Sequence, residues 1–297
     1  MSQATGLPGP TAMPPPRRAS PSRGFLRRAV TQPRVVASAA ALLVLVLVAV
    51  VGPHVAPHDP LSGELSRAFQ PPGDGYLLGG DDLGRDILSR LLLATRISLL
   101  AAFQAVLIAF AVGVPVGLLS GYFGGLLDSV LMKFNDAAMS FPALILAIVI
   151  VGILGPSLTN AMVAIGAVYA PRVVRVVRGS TLAAREELYV KSAQAMGCAH
   201  SRVILRHILP NILSPLIVQA SIMMGLAILA EASLSFLGLG VKPPTPSWGQ
   251  MLGRSFQYLY RDPFSVVLVG AVISVTVLCF NVFGDGIRDS VGREVPK

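Results

Sequence analysis

His54, His58 and Asp59 form a run of potential metal ligands. Two imidazoles one helical turn apart with a carboxylate could supply three of the four positions around a zinc ion. Pro53, Pro57 and Pro60 interrupt the run and oppose the helix that would align the histidines, so the expectation is a proline-stiffened exposed loop and not a metal centre. Cys198 and Cys279 lie in different segments without CxxC or Cys/His spacing and read as structural thiols. The sequence contains no GxxxxGK(S/T) phosphate cradle, no HExxH and no Gly-x-Ser-x-Gly turn. Neither ATP hydrolysis nor hydrolytic catalysis is therefore expected of this chain, and no cofactor or metal.

A different kind of chemistry is suggested by residues 186–211, EELYVKSAQAMGCAHSRVILRHILPN, which separate two strongly apolar runs. Arg172, Arg175 and Arg178 recur every three residues, so the preceding helix leaves the membrane with a basic edge. A short helix is expected from Glu186 to Met196, with Glu187 and Lys191 paired at i, i+4. An interfacial anchor favours Trp, Phe or Leu, whereas Ser192, Ala193, Ala195 and Gly197 are small. Small residues suit a helix seated in another protein's groove, and Gly197 permits a turn or close contact.

The elements that must carry this segment are apolar. The 297 residues are 53% hydrophobic and 13% charged, with mean hydropathy +0.68, too apolar for an ordinary soluble domain. The formal charge of +9 could suggest nucleic acid, but Lys and Arg flank apolar runs and do not gather on one face, so membrane topology explains them better. Residues 1–34, rich in proline and with six arginines and no acid, are read as a disordered tail. Spans are expected at 35–51, 97–119, 137–154, 158–177, 212–230 and 264–283, each near the ~20 residues that cross a bilayer. Gly155-Pro156-Ser157 reads as a tight turn between the third and fourth. Gly113 and Gly117 give the small-xxx-small spacing of close helix packing, and Pro115, Pro142, Pro171 and Pro215 are expected to kink four spans.

With the N-terminus inside, 17 of the 24 Lys and Arg residues fall on the cytoplasmic side, so both termini are expected there, with 52–96 and 231–263 outside. A carrier driven by its own ion gradient would place a carboxylate at mid-depth. The expected spans contain none. The driving energy is then expected to enter from elsewhere, which disfavours a self-sufficient carrier or channel.

Residues 191–210, KSAQAMG followed by CAHSRVILRHILP, resemble the EAA motif of bacterial ABC importer permeases. DDLGRDILSR (81–90), GVPVGLLSGYFGG (113–125), LRHILPN (205–211) and EASLSFLGLGVKPPTPSWGQML (231–252) are similar to the dipeptide/oligopeptide/nickel permease family, C-type subunit. The resemblance spans about residues 35–290. It implies an all-α membrane protein with the six-helix type I importer permease fold, a permease core at 97–284 containing a coupling loop at 178–211, and a cytoplasmic tail at 285–297. It implies a bacterial cytoplasmic-membrane location and, as partners, a homologous permease, two ATPase subunits, an extracytoplasmic solute-binding protein and membrane lipid, but no nucleic acid. The substrate it implies is a di- or oligopeptide, with nickel chelates and glutathione as alternatives. Carried over, Glu187, Lys191, Ser192, Ala193, Gly197, Leu209 and Pro210 would contact the ATPase. Lys191 stands where the motif usually has Glu, with Glu187 one turn earlier. Asp81, Asp82, Arg85, Lys242 and Trp248 are the residues expected to contribute to solute-binding-protein docking.

Overall fold

The computed structural model describes residues 32–73 and 75–292, with side chains to 289; most of the expected disordered tail lies outside them. The described residues are helical and form no β-strand, only two isolated β-bridges. In chain order the helices are α1 Pro33–Val55, α2 Ile87–Phe123, α3 Gly125–Met139, α4 Ala143–Leu154, α5 Leu158–Arg185, α6 Leu188–Ala195, a turn His200–Arg202 continued by a π-helix Val203–Ile208, α7 Leu213–Phe236, α8 Trp248–Gln257 and α9 Pro263–Gly292. Their ends are set locally. Asp86 caps α2 by accepting from the Leu88 and Ser89 amides, Ser157 caps α5, and Ser247 caps α8.

Five helices, α1, α2, α5, α7 and α9, are long and apolar enough to cross a membrane. The third expected span is different: α3 and α4 qualify only together and are bent by 89°. Pro142 lacks an amide donor and pushes Phe141 out of the helical region, so the apolar run turns a corner instead of continuing. Pro115 and Pro171, by contrast, lie within continuous helices, and Pro215 falls in the first turn of α7, where its missing donor costs little.

The central contact is between α2 and α5. Gly113, Gly117 and Gly121 form a ridge on α2, against which α5 lays Val173, Val177 and Thr181. A Cβ at Gly113 would lie 2.5 Å from that of Val173, and one at Gly117 2.6 Å from that of Val177. The spacing seen in the sequence thus brings two backbones close enough to exclude any side chain. Gly117→Val is expected to cost about 1–3 kcal/mol through overpacking. A lowered thermal midpoint of the purified chain is the measurement, and an unchanged midpoint would show that α5 can retreat freely.

Candidate functional site: a coupling segment and an outer polar cluster

The segment between α5 and α7 is exposed on one side and anchored on the other. Leu188 and Met196 are 79% and 76% exposed, and Glu187, Lys191, Ser192 and Gly197 share that outer surface. Val190 and Ala193 point inward and are buried with Val203, Ile204 and Ile208. Ala193, expected at the partner surface, instead packs α6 onto its own chain, because the 3.6-residue period carries it to the face of Val190. Leu209 is half-buried and Pro210 exposed in the turn leading to α7.

Lys191 Nζ lies 2.8 Å from Glu186 Oε2, so the expected Glu187–Lys191 pair is replaced by one with the preceding residue. Glu187 is the N-cap of α6 with extended backbone, which takes it off the helical spacing the pairing needs. The hydrogen bond from Lys191 holds the Glu186 carboxyl below the usual carboxylate range. Helix α6 ends in a paired closure: Gly197 N donates to Gln194 O and Cys198 N to Ala193 O, with Gly197 at φ +74°. This is the left-handed helix stop that glycine makes without steric cost.

A residue not singled out from sequence anchors the segment. Tyr122, buried near the end of α2, has its hydroxyl 2.8 Å from His200 Nδ1. Gln194 Nε2 donates to the same hydroxyl at 3.3 Å, and Arg185 donates to the Tyr122 carbonyl at 2.9 Å. Three positions flanking or within the coupling segment therefore converge on the tip of one long helix. Helix α3 is tied to α5 as well, through Asp128–Arg178 at 2.6 Å and Asp136–Arg175 at 2.7 Å. The basic edge of α5 thus faces acids of its own chain at two of its three arginines.

At the other end of α2, the residues expected at a docking surface are largely internal. Trp248 is 0% and Arg85 3% exposed. Arg85 Nε donates to Asp81 Oδ2 at 2.7 Å, and Arg254 grips Asp82 through two nitrogens at 2.7–2.9 Å. The Asp82 carboxylate holds the Arg254 guanidinium above its ordinary range. Polar residues in a Pro/Gly-rich stretch look solvated from sequence alone. In the fold they clamp loop 56–86 onto α8, leaving Lys242 as the exposed member of the set. His58 belongs to the same structure: its Nδ1 is 3.4 Å from Asp86 Oδ2 and its ring packs edge-on against Tyr76. Among the described residues no group of three or more His, Cys, Asp or Glu is placed to hold a metal ion.

Glu231 is the largest departure from expectation. The apolar run ends at Ala230, but α7 continues to Phe236 and Glu231 is 0% exposed. Its carboxyl accepts from Ser98 Oγ at 3.2 Å and Ser235 Oγ at 2.7 Å. Ser98 in turn accepts from the Trp248 amide at 3.0 Å, so one small network joins α2, α7 and the start of α8.

The apolar bundle thus carries an exposed short helix, α6, at one end and a polar clamp at the other. Residues 113–295 match the family described as binding-protein-dependent transport system inner membrane component, and the chain belongs to that family. Residues 20–72 match the N-terminal transmembrane domain of oligopeptide transport permease C, which places it in the C-type branch. It is 42% identical over 256 residues to the dipeptide transport system permease protein DppC of Haemophilus influenzae, covering 84% of this chain and 87% of that one. It is 38% identical over 273 residues to the glutathione transport system permease protein GsiD of Pectobacterium atrosepticum, covering 92% and 91%. Among solved structures, an inward-facing form of the MetNI methionine ABC transporter aligns with TM-score 0.56 at 21% identity, over 68% of this chain and 96% of that one. That likeness shows the fold, an ABC importer permease. The chain is a multi-pass inner-membrane permease subunit.

Proposed function

We propose that this chain pairs with a homologous permease to form a passage for di- or oligopeptides, driven by two separate ATPase subunits and fed by an extracytoplasmic solute-binding protein. The observation that carries the reading is α6: a short helix with small and apolar residues turned outward, fixed to the tip of α2 by Tyr122, His200 and Gln194. A push on α6 is transmitted to the bundle because it is hydrogen-bonded to the buried Tyr122. Peptide is favoured over nickel chelates by the dipeptide relatives; glutathione, itself a peptide, is the nearest alternative. Of the five residues expected at the binding-protein surface, Lys242 is the exposed one.

The basic-residue asymmetry supports a cytoplasmic side for both termini and α6. In a background lacking Cys198 and Cys279, Ser201→Cys is expected to react with an impermeant thiol reagent only in inverted vesicles, and Thr245→Cys only in intact cells. The reverse pattern would exchange the ATPase and binding-protein sides. Co-expression with candidate permease and ATPase partners, followed by affinity purification and peptide uptake in reconstituted vesicles, tests the assembly. Failure of every candidate ATPase to co-purify, with the chain well expressed, would remove the coupling assignment.

A further inference from the structure

A cleft of about 440 Å³ opens between α1, α2, α7 and α9, within the ~300–1,000 Å³ range of ligand pockets. Its walls are apolar, including Val50, Leu100, Phe103 and Phe280. Val50, Leu100 and Phe103 are each more than half exposed, so the cleft opens on the outside of this chain's bundle and is not enclosed within it. Two polar side chains complete it, His54 and Arg96. Neither makes a hydrogen bond, ion pair or ring contact with any other described residue. Arg96 stands at the head of the apolar part of α2, and His54 just beyond that of α1.

The geometry of the two helices turns these side chains toward each other. As consecutive spans α1 and α2 run in opposite directions, and a Cβ at Gly52 would lie 3.2 Å from Leu92, which sets their register. His54 is then level with about residue 90, roughly 9 Å nearer the membrane surface than Arg96 at 1.5 Å per residue. Side chains on a helix lean toward its N-terminus. On α2 that directs Arg96 toward the surface, and on α1 it directs His54 inward. A permanently charged planar fork and an imidazole N–H therefore lean toward one end of the cleft, above an apolar trough that continues roughly 10 Å from Arg96 to Phe103.

We propose that this cleft binds one anionic glycerophospholipid, with Arg96 and His54 holding its phosphodiester and an acyl chain lying against Leu100, Phe103 and Phe280. Arg96 donates two hydrogen bonds to the phosphate oxygens, the geometry for which guanidinium is suited. The charge has no acceptor within the described chain, and a lipid phosphate supplies one at that depth. An acyl chain fills the trough, which water would solvate poorly.

The test uses the purified full-length chain in detergent, with phosphatidylglycerol and phosphatidylcholine of the same acyl chains compared by native mass spectrometry. Wild type is expected to retain phosphatidylglycerol in about fivefold preference, the factor for one basic side chain beside an anionic headgroup. Arg96→Gln should bring the two lipids to parity, Arg96→Lys should keep part of the preference, and Leu100→Trp should reduce retention of both by filling the trough. His54→Gln, which leaves Arg96 in place, provides a second reading if Arg96→Gln is poorly folded, with a smaller loss of preference expected. Undiminished preference in Arg96→Gln, or in His54→Gln where that variant must serve, would overturn the proposal. Displacement of the lipid by inorganic phosphate would do the same, since a free anion would then be the ligand. So would a photo-crosslinker at Phe103 that captures a protein subunit and no lipid in native membranes.

Discussion

Gly197→Trp is expected to reduce peptide uptake more than tenfold while the protein still inserts and its ATPase partners still hydrolyse ATP. Two effects have to be separated. Gly197 has φ +74°, so an L-residue other than Asn or Asp there costs about 1–2 kcal/mol of backbone strain. Apart from its two chain neighbours, no atom of the described residues lies within 4 Å of a Cβ placed at this position, so a large side chain projects away from α6. Gly197→Asn tolerates the left-handed backbone with little bulk and should transport nearly as wild type. Gly197→Ala bears the strain alone and should fall between. A graded loss in the order Asn, Ala, Trp, with amounts of assembled protein unchanged across the series, locates the obstruction at a partner's surface. Equal uptake by the Trp and Asn variants would mean that nothing packs against this end of α6.

Glu231→Leu is expected to destabilise the chain by about 3 kcal/mol, through buried hydroxyls that lose their partner. Leucine is close in volume, so the loss comes from polar groups and not from a cavity. Ser98 and Ser235 lose their shared acceptor, and each buried hydroxyl left unpaired costs about 1–3 kcal/mol. Glu231→Gln keeps an acceptor oxygen and should lose about 1 kcal/mol. Thermal unfolding of the purified chain orders the variants, with wild type above Gln and Gln well above Leu. A Leu variant as stable as wild type would show that the serines find other acceptors and that the carboxyl is not what joins α7 to α2.

How much of this was legible in the sequence depended on whether the deciding contact was local. The apolar runs located five helices that could cross the membrane, and the glycine spacing of α2 located the face against α5. Hydropathy alone could not show the corner at Phe141-Pro142, because it counts composition along a run, but Pro142 itself pointed to a bend there, and the chain turns by 89°. Glu231 was missed for a related reason. A carboxylate ends an apolar run on any scale, and its burial is made tolerable by Ser98, 133 residues earlier. The outer polar residues departed from expectation in the opposite direction, being more enclosed than their types suggest. Asp82 looked like surface until Arg254, 172 residues away, closed over it, and Trp248 looked like an exposed anchor but is buried. In the coupling segment the Gly197 turn could be read from one residue, whereas the Tyr122 anchor requires knowing where the far end of α2 arrives.

The two ends of α2 are also locked in phase. At 1.5 Å per residue the 37 residues of α2 make a single rod of roughly 55 Å, well beyond the ~30 Å of hydrocarbon. Arg90 near one tip reaches the Pro60 carbonyl at 2.9 Å, and Tyr122 near the other holds His200. The two attachments lie 32 residues apart on one continuous helix, so their relative bearing is fixed by the count of residues between them. One residue inserted in the lipid-facing middle of α2 would leave its hydropathy unchanged, yet it would turn one tip against the other by about 100° and lengthen the rod by about 1.5 Å. The ridge of Gly113, Gly117 and Gly121 would then meet α5 out of step. Sequence length in this helix is therefore a constraint as strict as residue identity, and relatives should differ there by substitution and not by insertion.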